Sequence, residues 1–167
     1  HTVLAASQLI APNSSYSSGP FGHRAIELRI ACCKLVRFSP ELAAVFSLYF
    51  HIPFCRKACH YCDFHFSTKL TSVEEMVQAM IRELGIRAED WRAKGSPRTI
   101  YFGGGTPSVL NAHQIERLIH SVKTEFPDST FDEITLEANP EDLNANNLMG
   151  WLKAGVDRLS VGVQTFD

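Results

Sequence analysis

The stretch TIYFGGGTPS, residues 99–108, reads as a short strand that runs directly into a glycine tract. β-Branched and aromatic residues fill its first four positions, and three consecutive glycines end it. Glycine carries no Cβ, so such a tract adopts backbone angles closed to other residues and lets main chain approach a ligand closely. No Gly-Lys-Ser/Thr follows, which excludes a phosphate loop. Ser108 stands where the last glycine of a dinucleotide fingerprint belongs.

The same arrangement recurs on either side. Residues 47–52 (SLYFHI) read as a strand stopped by Pro53, residues 133–138 (EITLEA) as a third strand, and residues 158–163 (RLSVGV) as a fourth. Helical patterns separate them. Ser72 with Glu75 resembles a capping box, followed by an apolar stripe of Val73, Met76, Val77, Met80, Ile81 and Leu84. Asn111 and Gln114 can cap a second helix whose stripe is Ile115, Leu118, Ile119, Val122 and Phe126. Pro140 suits the first turn of a third helix through Leu143, Leu148, Trp151 and Leu152, closed by Gly155. Strands alternating with helices imply parallel pairing through crossovers. Each polar or glycine-rich feature falls just behind a strand, the edge where active sites form in parallel α/β folds. The expected fold is therefore α/β, either a small open parallel sheet or, the favoured reading, the first four parallel strands of a larger TIM-type (β/α) barrel with crossover helices, truncated.

Composition sets the outer limits. The 167 residues are 45% hydrophobic and 20% charged, with 16 basic and 18 acidic side chains and a formal net charge of -2, which argues against a polybasic nucleic-acid binder. No run of about 18 apolar residues offers a transmembrane segment. Residues 1–46 form a separate extension that begins with His1, has a Ser/Gly/Pro-rich stretch at residues 13–22, and is expected to be poorly ordered. Residues 47–167 carry the patterned domain. Cys32 and Cys33, in the extension, are assigned no role.

Five cysteines are an odd number, and three of them crowd into residues 55–62 as Cys55-x3-Cys59-x2-Cys62. This clustering points to a metal or redox site in a reducing, cytoplasmic compartment rather than to a disulfide framework. Three thiolates on one short loop can occupy three corners of an iron–sulfur cube and leave one iron open. A zinc site completed by His51, His60 or His65 is equally compatible with the spacing. His51 alternates with Phe50 and Ile52 and reads as a hydrogen-bonded histidine, in the core or just behind the ligands, rather than as a ligand itself. Arg158 reads as half of an ion pair with Glu137 or Asp157. Arg56 reads as charge near the cysteines or as a solvated loop residue.

Four segments, LYFHIPFC running into the cysteine loop, GGGTPS at 103–108, EANPED at 137–142 and RLSVGVQTF at 158–166, resemble radical S-adenosylmethionine (SAM) enzymes. More narrowly they are similar to oxygen-independent coproporphyrinogen III oxidases and the related radical-SAM haem chaperones. The resemblance runs from Leu48 to Asp167. It implies a [4Fe-4S] cluster on Cys55, Cys59 and Cys62, with SAM chelating the open iron and cleaved on reduction of the cluster to a 5′-deoxyadenosyl radical. It also implies that Tyr49 and Tyr61 flank the cofactor, that Gly104, Gly105 and Thr106 line it, and that Glu137 and Gln164 contact its polar groups.

One departure separates the branches. The oxidases usually carry a further Cys two positions after the third cluster ligand, where this chain has Phe64. The Cys62-Asp63-Phe64 form resembles the chaperone branch. The resemblance therefore implies first a haem chaperone that binds and delivers haem to respiratory proteins. The second reading is an oxidase converting coproporphyrinogen III to protoporphyrinogen IX. Implied partners are haem or a porphyrinogen and an electron donor such as flavodoxin or ferredoxin, with no nucleic acid. A non-catalytic Cys3His zinc module is the reading from another class.

Overall fold

The computed structural model of the chain describes residues 33–37, 45–60, 62–63 and 65–163. Its elements follow in the order β1 (Cys33–Arg37), β2 (Val45–Ile52), α1 (Val73–Arg92), β3 (Ser96–Gly104), α2 (Ala112–Glu125), β4 (Glu133–Ala138), α3 (Ala145–Ala154) and β5 (Arg158–Val161). They build one five-stranded sheet in sequential order, β1-β2-β3-β4-β5. β2 to β5 are parallel and each is linked to the next by a helix, as the alternation requires. The strand order never reverses. A doubly wound sheet has a switch point where it does, so this order belongs to the barrel-type progression. β1 pairs antiparallel with β2, placing Cys33 opposite Phe50 and Arg37 opposite Phe46. That strand is too short and too weakly alternating to be read from sequence.

One sheet face carries the core. Phe46, Leu48, Phe50 and Ile52 of β2 alternate onto the same side as Ile100 and Phe102 of β3 and Ile134 and Leu136 of β4, and all are buried. The helices cover them with Val77, Met80, Leu84 and Trp91 of α1, and with Ile115, Leu118, Ile119 and Val122 of α2. Phe50 and Phe102 stack across the β2–β3 pair with ring centroids 5.1 Å apart. Each such side chain contributes roughly 1.5–3 kcal/mol of transfer free energy on burial. β3 is longer than the TIYF segment suggests because it starts at Ser96. Pro97 lacks an N–H, and it sits beside a register shift where Phe46 faces Pro97 and Ser47 faces Thr99.

Helix ends agree with the sequence in two places and differ in two. Asn111 and Gln114 form the expected capping box. Gly155 closes α3 in the left-handed region at φ 106. Ser72 precedes α1, but its side chain makes no capping hydrogen bond. Glu74, not Glu75, is the engaged carboxylate, accepting from Gln78, Gln114 and Arg117. Pro140 opens only a single 3-10 turn, Pro140–Asp142, and α3 begins at Ala145 with Asn144 as its cap. Asp142 is held by partners from other loops, and this breaks the continuous helix that the proline suggested. Within α3 only Trp151 and Ala154 are buried, whereas Leu152 is 62% exposed. Among the described residues no helix is long and apolar enough to cross a membrane.

Candidate functional site

Parallel pairing brings the ends of β2, β3 and β4 to one edge, with His51 opposite Gly103 and Ile52 opposite Gly104. The loops that leave those ends are stitched together. Gly105 N–H donates to the Ile52 carbonyl at 2.8 Å, and Thr106 N–H donates to the Phe54 carbonyl at 2.7 Å. The glycine tract is thus bonded to the root of the cysteine loop. That loop is also closed on itself, with Ser67 N–H donating to Pro53 at 2.8 Å and Cys55 N–H donating to Ser67 at 3.1 Å. A Cβ on Gly105 would lie 2.7 Å from the Phe54 carbonyl oxygen and 3.0 Å from Cys55 Sγ, so only glycine permits the approach. Gly104 has φ +119, and a Cβ there would meet the His51 ring at 2.7 Å.

Cys55, Cys59 and Cys62 are free thiols; Cys59 is exposed and the other two are half-buried. Burial pushes the Cys55 thiol up, a hydrogen bond with the Thr106 side chain pulls it down, and Cys62 and Cys59 push it up again. Both neighbouring cysteines therefore act on Cys55. Cys62 N–H donates to the Cys59 carbonyl at 3.0 Å, turning the chain between these two. The donors are soft, unpaired and set on one loop, which suits a thiolate-ligated cluster, and the Gly105 cradle lies against the first of them. Among the described residues, no three His, Cys, Asp or Glu side chains stand gathered as a ready set of metal ligands.

The sheet face opposite the core is polar and aromatic. Thr99 Oγ1 donates to Ser47 Oγ at 2.7 Å. The Tyr49 and Tyr101 rings stack at 5.7 Å, and Tyr49 also lies parallel to His51 at 6.1 Å. Tyr101 donates its hydroxyl to Glu137 Oε1 at 2.7 Å, while Gly104 N–H donates to Oε2 at 3.2 Å. Glu137 is therefore fixed by a side chain and by the glycine tract instead of pointing loose into solvent. Burial first, then Glu137 and Tyr101, raises Tyr49 far above the ordinary phenol range, so it stays a neutral hydroxyl.

Several sequence expectations change here. His51 is only 6% exposed, but neither ring nitrogen has a hydrogen-bond partner among the described residues. Burial, then His65, keeps its imidazole below the usual range and neutral. Arg158 pairs with Glu133 at 2.8 Å, not with Glu137 or Asp157: Glu137 already accepts from Tyr101 and Gly104, and Asp157 accepts from the Ile134 N–H. Arg56 pairs with Asp142 at 3.2 Å. Tyr61, Phe64 and Gln164 lie outside the described residues. Tyr101 and Asp142 were not singled out from the sequence, and Ser108 entered there only as a departure from the dinucleotide fingerprint. Period-two alternation from Tyr49 would have flagged Tyr101, but only once the β2–β3 register was known.

Comparison with known proteins agrees with this geometry. The Radical SAM superfamily model matches residues 49–167. The haem chaperone HemW of Lactococcus lactis is 41% identical over 121 residues, covering 72% of this chain and 31% of its own. HemW of Escherichia coli K12 is 37% identical over 122 residues, covering 72% and 32%. The structure of E. coli coproporphyrinogen III oxidase (HemN), described as a radical SAM enzyme, matches with a TM-score of 0.64 and 31% identity, covering 74% of this chain and 28% of that one. The chain spans about a third of the length of these curated relatives. With its parallel strands in sequential order and its cysteine loop behind β2, this chain belongs to the radical SAM superfamily.

Proposed function

We propose that this chain is the cofactor-binding part of a haem chaperone, with Cys55, Cys59 and Cys62 holding a [4Fe-4S] cluster and the glycine tract bedding SAM. The observation that carries the reading is the stitched junction of the cysteine loop and the glycine tract. When bound, the two groups supply reductive cleavage of the sulfonium. This chain's residues bind and orient. The Thr106 and Gly105 N–H groups, bonded to the Phe54 and Ile52 carbonyls, hold the root of the loop so that Cys55 lies beside Gly105. Tyr49, stacked on Tyr101, offers a flat apolar flank with one neutral hydroxyl. Glu137 is an acceptor fixed at both oxygens, suited to ligand hydroxyl or amino groups. Tyr61 and Gln164 would add contacts through the motifs they occupy.

The chaperone is favoured over the oxidase by Phe64 in the position of the further cysteine, and by the HemW relatives. The HemN likeness supports the oxidase as the second reading. On the first reading the partners are haem, respiratory haem acceptors and a flavodoxin- or ferredoxin-type donor, in the cytoplasm. Anaerobic reconstitution of the full-length protein tests both readings. Iron and acid-labile sulfide near four each per chain are expected, with Cys59→Ala losing both while keeping its helical circular dichroism. One equivalent of zinc without sulfide would overturn the cluster. Haem binding without turnover supports the chaperone, and conversion of coproporphyrinogen III to protoporphyrinogen IX would reverse the ranking.

A further inference from the structure

Behind the glycine tract a second network joins three loops that sequence separates by up to 86 positions. Asp142, in the turn after β4, is buried, with its side chain only 7% exposed. Its Oδ2 accepts from the Ser108 hydroxyl at 2.6 Å, just past the glycine tract. Its Oδ1 accepts from Arg56 Nη2 at 3.2 Å, inside the cysteine loop. Asn139 N–H donates to Ser108 Oγ at 3.3 Å, closing the network on the β4 side. Asn147 Nδ2 fixes the Asp142 carbonyl at 2.8 Å, so the aspartate's own backbone is anchored to the first turn of α3.

A buried carboxylate is costly unless its oxygens are satisfied and its charge is matched. Ser108 satisfies one oxygen and cannot neutralise it. Arg56 supplies the charge, and it follows Cys55 directly in the chain. The stability of Asp142 in its pocket is therefore linked to the position of the cysteine loop. We propose that Asp142 is a positioning residue that, through Arg56, clamps the cysteine loop against the glycine tract before any cofactor arrives. The clamp reduces the loop freedom that ligation would otherwise have to remove. This inference deepens the cofactor reading and rests on it for its purpose, but the clamp itself is made by this chain's residues alone.

Hydrogen–deuterium exchange on the full-length apo protein tests the clamp without any cofactor. Arg56→Met and Asp142→Asn are expected to raise exchange of the hydrogen-bonded loop amides, Cys55, Cys62 and Ser67, roughly three- to tenfold, because a half-exposed charge-assisted hydrogen bond is lost or weakened. Exchange in α1 and α2 should stay unchanged. Arg56→Lys should restore part of the protection, separating charge from bulk. The double variant should be no worse than the more severe single one, since both remove the same link. Unchanged exchange at Cys55, Cys62 and Ser67 in Arg56→Met, or effects that add in the double variant, would overturn the clamp. Failure of the wild-type protein to take up iron and sulfide would instead remove the cofactor reading and leave the exchange result to judge the clamp.

Discussion

The two faces of this sheet are made by the same strands, residue by alternate residue, and they follow different chemistry. Towards the helices stand Leu48, Phe50, Ile52, Ile100, Phe102 and Leu136, all fully buried or nearly so. Away from them stand Ser47, Tyr49, His51, Thr99, Tyr101 and Glu137, tied by hydrogen bonds and ring stacking. Parallel strands are usually apolar on both faces because both are covered by packing. A parallel sheet with one polar face has reserved that face for something other than side-chain packing. In a barrel it is the interior, and here its polar groups converge towards the edge where the cysteine loop and the glycine tract meet.

Neighbouring residues on opposite faces give the sharpest way to break the comparison. Phe102→Ala opens the apolar layer against Phe50 and should cost about 3–5 kcal/mol, read as a lowered urea midpoint of the full-length protein. Tyr101→Phe, one position earlier, removes only the hydroxyl that holds Glu137 and should cost about 1 kcal/mol. Its larger consequence is expected in ligand binding, as weakened SAM retention in equilibrium dialysis of the reconstituted protein. Equal stability losses for the two variants would mean that both faces are simply core.

Gly105→Ala probes the junction of the two loops and ranks next. The new methyl would press on two backbone carbonyl oxygens, those of Phe54 and Ile52, which no side-chain rotation can move, and on Cys55 Sγ. Relief requires moving the cysteine loop away from the tract, at about 1–3 kcal/mol of overpacking. The expected outcome is a folded protein with reduced iron loading. Full iron content in this variant would show that the close approach has no bearing on the thiols.

The elements of the apolar face were legible because their signal is local. Period two in SLYFHI and TIYF, and the i, i+3, i+4 stripes of α1 and α2, locate strands and helices without knowledge of their partners. The polar face was legible only where a motif marked it, as at Glu137. Tyr101 was missed because it matters through Tyr49 and Glu137, and those neighbours depend on register. The same long-range dependence redirected Arg158 to Glu133 and set Asp142, not Pro140, as the residue that shapes the entry to α3. His51 shows the limit from the other side. Its alternation with Phe50 and Ile52 puts it on the polar face, where it is buried, yet sequence says nothing of whether a buried imidazole finds a partner.

The smallest expected effect comes from the helix layer's outer surface, where polarity is structural rather than functional. Glu74 of α1 accepts hydrogen bonds from Gln114 and Arg117 of α2 and from Gln78, and these hold its carboxyl down at about 2. Its folded value lies below its unfolded value, so the unfolded chain takes up this proton first on acidification. The α1–α2 link is fully present above the ordinary glutamate range near 4.5 and is lost as the pH falls from there towards 2. Because Glu74 is half-exposed, solvent and salt screen the pair with Arg117 and keep the effect modest. Glu74→Gln should therefore lower stability slightly at neutral pH and converge with the wild type near pH 2, in thermal melts followed between those limits. The same substitution should leave iron loading and SAM retention untouched, because nothing in this network reaches the strand edge. A loss of cofactor binding in Glu74→Gln would mean that the helix layer and the polar face are energetically coupled, and that separating the two faces into stability and ligand chemistry is mistaken.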